Sequence, residues 1–314
     1  MRVTTETTLA SIAAASTLTA ASAAFLAAPV EVNAADTSYA CGLPALYVGQ
    51  GEVAYSFAAA PMVLATDDAT TCCIVVLEGS NCYCLAHVDS PSQVDFLFDH
   101  WASMVGTVDT QVAVVGGYCD ERSIGAKIVN SILAAMRASP TVFSISLWVT
   151  GAINTVTGSR PAQPKARGLA VVPLPTATGF LRFNAVEFAP GASRGPAFLR
   201  RMTSTPQRAL HVLNAAPALQ CFVGPYVRAW LECSAEDAAS YLAFAQRATD
   251  AQILAQFSTS PQAEGPKFVA DIKERFAAAV DLAHRSSAEQ RAALAQLDAY
   301  SWDAAAMCWR LDAV

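Results

Sequence analysis

Attack on a carbonyl carbon by a protein side chain needs a nucleophile and a base that can exchange a proton with it. Two short stretches offer that pair. "TDDATTCCIVVL" (66–77) sets Cys72 and Cys73 ahead of an apolar run, and "YCLAHVD" (83–89) carries His87 near the end of the next run. If the two runs are neighbouring antiparallel strands, the imidazole stands beside the Cys72 sulfur, lowers its pKa and favours the attacking thiolate. Side chains alternate along a strand, so Cys72 and Cys73 face opposite ways and cannot share one role. Thr66 and Asp89 are the two candidates for orienting the imidazole. Asp67 and Asp68 do not help the thiol, because nearby negative charge raises its pKa. The other histidines, His100, His211 and His284, read as packing, strand or surface residues. The structural alternative stays beside the dyad, since buried cysteine is common and inert. A metal site is not expected: Cys72, Cys73, Cys82, Cys84 and His87 lack the paired-cysteine knuckles that aim two thiolates at one zinc.

The elements that must position these residues are mainly strands. Leu46-Tyr47-Val48, Cys73 to Leu77, Tyr83 to Val88, Gln111 to Gly116 and Val142 to Val149 have the composition and bounding turns of β structure. Gly168 to Val172 and Gly179 to Phe188 predict a hairpin, with 160–167 as a surface loop ahead of it. Apolar residues at Ile124, Ile128, Ile132 and Leu133 predict a helix over 123–138. Past "FVGPY" the character turns helical: one helix is capped at Ser234 with acids in its first turn, a second runs from 266 or 267 through Ala283, and a third from Ser287 to about Tyr300. The expected class is α+β, with mixed or antiparallel sheets, sandwich-like or barrel-like, flanked by helices. Residues 46–314 read as one catalytic domain with a helical C-terminal part.

With 314 residues, 54% hydrophobic and 15% charged, the chain can bury a large core. Its formal charge of -6, without a basic block, argues against nucleic acid or an anionic membrane as partner. Nine cysteines, an odd number in a long chain, fit a reducing compartment. Residues 1–45 form an Ala-rich segment, uncharged from Thr7 to Val30. Two readings stay open: a helix packed on the domain through Leu9, Ile12, Leu18 and Phe25, or an organellar targeting peptide within 1–34.

"TDDATTCCIVVL" with "LAHVDSP", then "VVGGYCDERS", "VGPY" and "QILAQFSTSPQAEGPKFVADIKERF", resemble the protein N-terminal asparagine amidohydrolase family in order and spacing, from about Leu46 to Ala277. The resemblance implies deamidation of an N-terminal Asn side chain to Asp with release of ammonia, feeding the N-degron degradation pathway. It puts the nucleophile on Cys72 and leaves Cys73 dispensable, since animal members carry His there. The Thr66, Cys72, His87 interval is also similar to that of bacterial chemoreceptor glutamine deamidases, which implies a related fold and gives Thr66 the task of orienting His87. Backbone N–H groups near Thr71 to Cys73 would receive the oxyanion. Asp68 and Glu264 are candidates to pair with the substrate α-ammonium, and Tyr226 to line the pocket. No cofactor or metal is implied. The expected protein is a monomer in the cytoplasm or nucleus, acting on proteins and peptides that begin with Asn. Deamidation of an internal Gln or Asn in a partner, and non-catalytic binding of terminal residues, are the competing readings.

Overall fold

Strands rich in Val, Ile, Leu and Cys succeed one another through the first half of the chain, and pairing them leaves one face of each sheet to be covered. The computed structural model describes residues 1–33, 43–106, 108–156, 158, 161–173, 181–188, 210–223, 235–258, 261, 264, 266–283, 298–306 and 308–312. The chain divides into two compact units.

The first unit takes in Met1–Asn33, Thr37–Glu187 and Pro206–Leu219. Its elements are α1 (Leu9–Ala14), α2 (Ser16–Ala27), β1 (Glu31–Asn33), β2 (Ala45–Tyr47), β3 (Glu52–Phe57), β4 (Val63–Ala69), β5 (Cys73–Glu78), β6 (Cys82–Val88), α3 (Pro91–Val105), β7 (Thr110–Tyr118), α4 (Ile124–Ala138), β8 (Phe143–Gly151), a single 3-10 turn (Ala152–Asn154), β9 (Thr155–Val156), β10 (Gln163–Pro164), β11 (Arg167–Pro173), β12 (Leu181–Phe188) and β13 (His211–Val212). A six-stranded mixed sheet runs β13-β3-β6-β5-β7-β8, a five-stranded one runs β1-β12-β11-β4-β2, and neither closes into a barrel. β5 lies between β6 and β7, antiparallel to both.

Alternation sorts the six-stranded sheet into two faces. Val53, Tyr55, Cys73, Val75, Cys84 and Val88 point to a core shared with Leu97 and Trp101 of α3 and Ile128 and Ile132 of α4. The opposite positions, Ile74, Val76, Leu85 and His87, are buried as well, as are Leu64, Thr66, Leu169 and Val171 of the second sheet. β4 packs on β5, β6 and β7, so the two sheets form a sandwich. Each buried aliphatic there contributes about 1.5–3 kcal/mol, against about 1 kcal/mol net for a hydrogen bond. Aliphatic packing therefore holds the sandwich, and a polar pair inside it serves another purpose.

The α+β class and the β11/β12 antiparallel pairing agree with the reading from sequence. Several details differ. "TDDATT" reads as a polar turn ahead of the cysteines, but its first four residues lie within β4, and β3 and α3 have no counterpart among the predicted elements. Gln163–Pro164 pairs with β9 inside the expected loop. Leu9 is 37% exposed, whereas Ile12, Leu18 and Phe25 are buried. No helix among the described residues is long and apolar enough to cross a membrane.

The second unit comprises Ala34–Asp36, Phe188–Thr205 and Gln220–Val314. β14 (Gln220–Val223), β15 (Asp298–Asp303) and β16 (Cys308–Leu311) form an antiparallel sheet. α5 (Ala235–Arg247), α6 (Asp250–Phe257) and α7 (Pro266–Ala283) gather Ala245, Ile253, Val269 and Phe276 into a separate core. The helix expected to reach Tyr300 is contradicted at its end, where 298–300 belong to β15; residues 287–297 lie outside the described residues.

Candidate active site

β4 belongs to one sheet and β5 to the other, so the bend at Thr70 to Cys72 carries the chain across the end of the sandwich. Cys72 sits in this crossover rather than on the strand itself, which begins at Cys73. Ile74 pairs directly with His87. Two residues earlier on the same side, Cys72 becomes the diagonal neighbour of His87, a relation that spans about 7–8 Å between backbones and lies within side-chain reach. From the facing sheet, Thr66 Oγ1 lies 2.8 Å from His87 Nδ1. Thr66 is 0% and His87 4% exposed. With Nδ1 beside Thr66, Nε2 is the other ring nitrogen able to exchange a proton.

A β-bulge makes this convergence possible. Between the pairs Leu169↔Thr66 and Arg167↔Ala69, Asp67 and Asp68 together oppose Gly168 alone. In a regular strand, residues three apart face opposite ways; the extra residue returns Ala69 to the face of Thr66 and aims the crossover at the other sheet. Asp68 takes up the distortion with φ 57°. Opposite it, a Cβ on Gly168 would overlap Val186 O and stand 2.9 Å from Asp67 Cβ, so only glycine fits. The two acids are thus used differently. Asp67 is buried and accepts a 2.8 Å hydrogen bond from Tyr47 Oη, while Asp68 is exposed. Asp68 also lines a cleft of about 160 Å³ shared with Arg167, Glu187, Phe25, Leu26 and Val30.

Behind Cys72 stands a glycine pair that reading by residue type passed over. Gly116 and Gly117 end the apolar run of β7 with φ of 116° and 62°. Gly117 N–H donates to Cys72 O at 2.8 Å, and a Cβ on Gly116 would overlap that same oxygen. The signal was present as "VVGG", two adjacent glycines closing a strand where a single turn glycine would suffice.

Cys73 faces the helices. It is 0% exposed, its Sγ lies 3.2 Å from where a Cβ on Gly117 would be, and burial pushes its thiol up to about 12. Such a thiol holds almost no thiolate at neutral pH. Cys73→Ala is expected to retain most activity and to lose about 1 kcal/mol of stability, the scale of a small core deletion. Initial rates and denaturant melts check this; an inactive but folded variant would move the nucleophile from Cys72 to Cys73.

The remaining expected site residues are scattered. Asp89 accepts from Gln50 Nε2 at 2.9 Å, while Thr66 is the residue at His87 Nδ1. Thr71 lies half-buried in the crossover. Glu264 belongs to the second unit and accepts from Ser258 Oγ at 2.8 Å. Tyr226 and His284 lie outside the described residues. His100 of α3 lies 2.6 Å from Tyr55 Oη through Nδ1, and burial lowers its pKa. His211 is half-buried in β13.

The sequence model of one family, described as protein N-terminal asparagine amidohydrolase, matches residues 35–309. Proteins of that description from Homo sapiens, Sus scrofa and Mus musculus are similar to the chain. The human protein is 30% identical over 247 residues, covering 73% of this chain and 72% of the relative. The pig and mouse proteins are each 29% identical over the same length and the same shares.

Proposed function

Since the chain belongs to the protein N-terminal asparagine amidohydrolase family, we propose that Cys72, His87 and Thr66 are the residues with which it deamidates the side chain of an N-terminal Asn. The activity itself, hydrolysis of that amide to Asp with release of ammonia, is the family's. The assignment of residues rests above all on the 2.8 Å contact between Thr66 Oγ1 and His87 Nδ1, made by two buried side chains from different sheets beside the crossover that carries Cys72.

The Cys72 thiolate attacks the amide carbon, and backbone N–H groups near Thr71 to Cys73 receive the developing oxyanion. The C–N bond breaks as protonated His87 gives its proton to the departing nitrogen, so ammonia leaves and a thioester forms. Neutral His87 then takes a proton from water, the resulting hydroxide displaces the sulfur, and the carboxylate product and the thiol are released. Thr66 accepts from Nδ1–H and holds the tautomer in which Nε2 does this work.

Only a terminal residue carries an α-ammonium, and a carboxylate that pairs with it rejects internal Asn. Asp68 is the carboxylate assigned this role, supported by its exposure and its place four residues ahead of Cys72 in the chain. Proteins and peptides beginning with Asn are the substrates, and their Asp products enter N-terminus-dependent degradation. The odd count of nine cysteines in a long chain supports a reducing compartment, the cytoplasm. The reading includes a monomer that engages neither nucleic acid nor membrane.

Matched peptides beginning Asn, Gln and acetyl-Asn test it through the mass gain of about one unit that deamidation brings. Turnover of the Asn peptide alone is expected. Equal turnover of acetyl-Asn would remove the α-ammonium from recognition and favour action on internal residues.

A further inference from the structure

The glycine pair behind Cys72 has a clamp of its own. Asn154 closes the 3-10 turn after β8 and is 1% exposed. Its Nδ2 donates to Gly116 O at 2.9 Å, to Gly117 O at 3.3 Å and to Val149 O at 2.8 Å. Its Oδ1 accepts from Arg167 Nε at 2.8 Å. Arg167 lies opposite Ala69 in register, on the last pair before the crossover. Both hydrogens and the oxygen of one amide are therefore engaged, and the bonds tie the end of β7, the end of β8 and the start of β11 to a single side chain.

Asparagine suits this place for chemical reasons. Three carbonyl oxygens converge on it, so the group must donate, and more than once. A guanidinium faces its other end, so the same group must also accept. A carboxylate would repel the carbonyls, an ammonium could not accept from Arg167, and a hydroxyl has only one hydrogen. Two of the three carbonyls belong to glycines, whose backbones have the widest choice of conformation and are the hardest to hold still. What is held is consequential, because Gly117 N–H bonds Cys72 O. Rotation of the Gly116–Gly117 peptides would carry the main chain of Cys72 with it, and the sulfur and the neighbouring Cys73 N–H would follow.

We propose that Asn154 is a positioning residue for deamidation: through Gly116 and Gly117 it fixes the main chain of Cys72, and Arg167 fixes Asn154. Asn154 touches no reacting atom, and its effect passes through the glycines. The inference rests on Cys72 as the nucleophile. It extends to Arg167, whose guanidinium is half-buried and makes its one hydrogen bond among the described residues through Nε.

The test uses Asn154→Ala, Asn154→Ser and Arg167→Ala in the full chain. Two readings are taken: kcat and KM on a peptide beginning with Asn, and the pH dependence of Cys72 alkylation by iodoacetamide, located by peptide mass mapping. A displacement of the nucleophile by even about 1 Å costs on the order of 100-fold. Asn154→Ala is therefore expected to lower kcat about 10- to 100-fold, with KM within about threefold of the native value. Asn154→Ser, which keeps one donor, falls between, and Arg167→Ala loses less than Asn154→Ala. Cys72 alkylation slows and its pH profile shifts, while Cys73 stays protected. A folded Asn154→Ala with native kcat overturns the proposal. So does a loss confined to KM, an unchanged alkylation profile, or a kcat loss that comes with exposure of Cys73, which would mean general loosening. If Asn154→Ala does not fold, Asn154→Ser and Arg167→Ala decide by the same readings. Failure of the underlying reading is separate: an active Cys72→Ala removes Cys72 as nucleophile, whatever Asn154 does.

Discussion

Cys72→Ala is expected to leave a peptide beginning with Asn intact, with kcat/KM lower by at least about 10³- to 10⁴-fold, the scale of losing a nucleophile whose partners survive. The change removes one sulfur from a residue that is 8% exposed in a crossover. The melting curve should therefore move little and the folded population stay near native. Circular dichroism and a denaturant melt taken beside the rate separate lost chemistry from lost fold. Cys72→Ser should be nearly as inactive, because the same base cannot ionise a hydroxyl as it does a thiol. A folded Cys72→Ala that keeps a tenth of native activity would sink the thioester route.

His87→Ala is the second large effect, with kcat lower by about 10²- to 10⁴-fold, the contribution expected of a positioned acid and base. Both half-reactions should suffer, since in the proposed route the same imidazole protonates the leaving nitrogen and activates the water. Thr66→Val keeps the shape of Thr66 and deletes the oxygen that lies 2.8 Å from Nδ1. Its loss should be about 10- to 100-fold, as for other groups that orient a catalytic residue. Since Thr66 acts through His87, the double variant should be no worse than His87→Ala alone. Additive losses measured in that cycle would give Thr66 a role independent of the imidazole.

The legible part of the site was the part governed by alternation. Cys73 to Leu77 and Tyr83 to Val88 announce two strands, and pairing them brings His87 toward Cys72. Cys73 could be sent to the opposite face by the same rule. Thr66 and Asp89 are equal candidates on residue type alone; the interval similar to that of bacterial glutamine deamidases favours Thr66. β4 was illegible for a physical reason. Asp-Asp within a run is a turn signal, and here it marks a bulge, in which one residue takes the left-handed conformation while the strand continues. Asn154 was illegible for another. A single asparagine after a strand reads as loop, and its importance lies in three carbonyls that only the folded chain assembles. Toward the C-terminus, "AALAQLDAY" has the composition of a helix, yet Asp298 to Tyr300 pair with β14, where long-range strand pairing overrides local preference.

The hydrogen bond between Thr66 and His87 joins the two sheets beside the crossover that carries Cys72. Reactivity is thereby conditional on cohesion. On the roles proposed above, a molecule whose sheets begin to part separates Thr66 from His87 while each strand still pairs with its neighbours in its own sheet. On that proposal, a damaged or half-folded copy of this chain is a disarmed one, without an aligned base beside its sulfur.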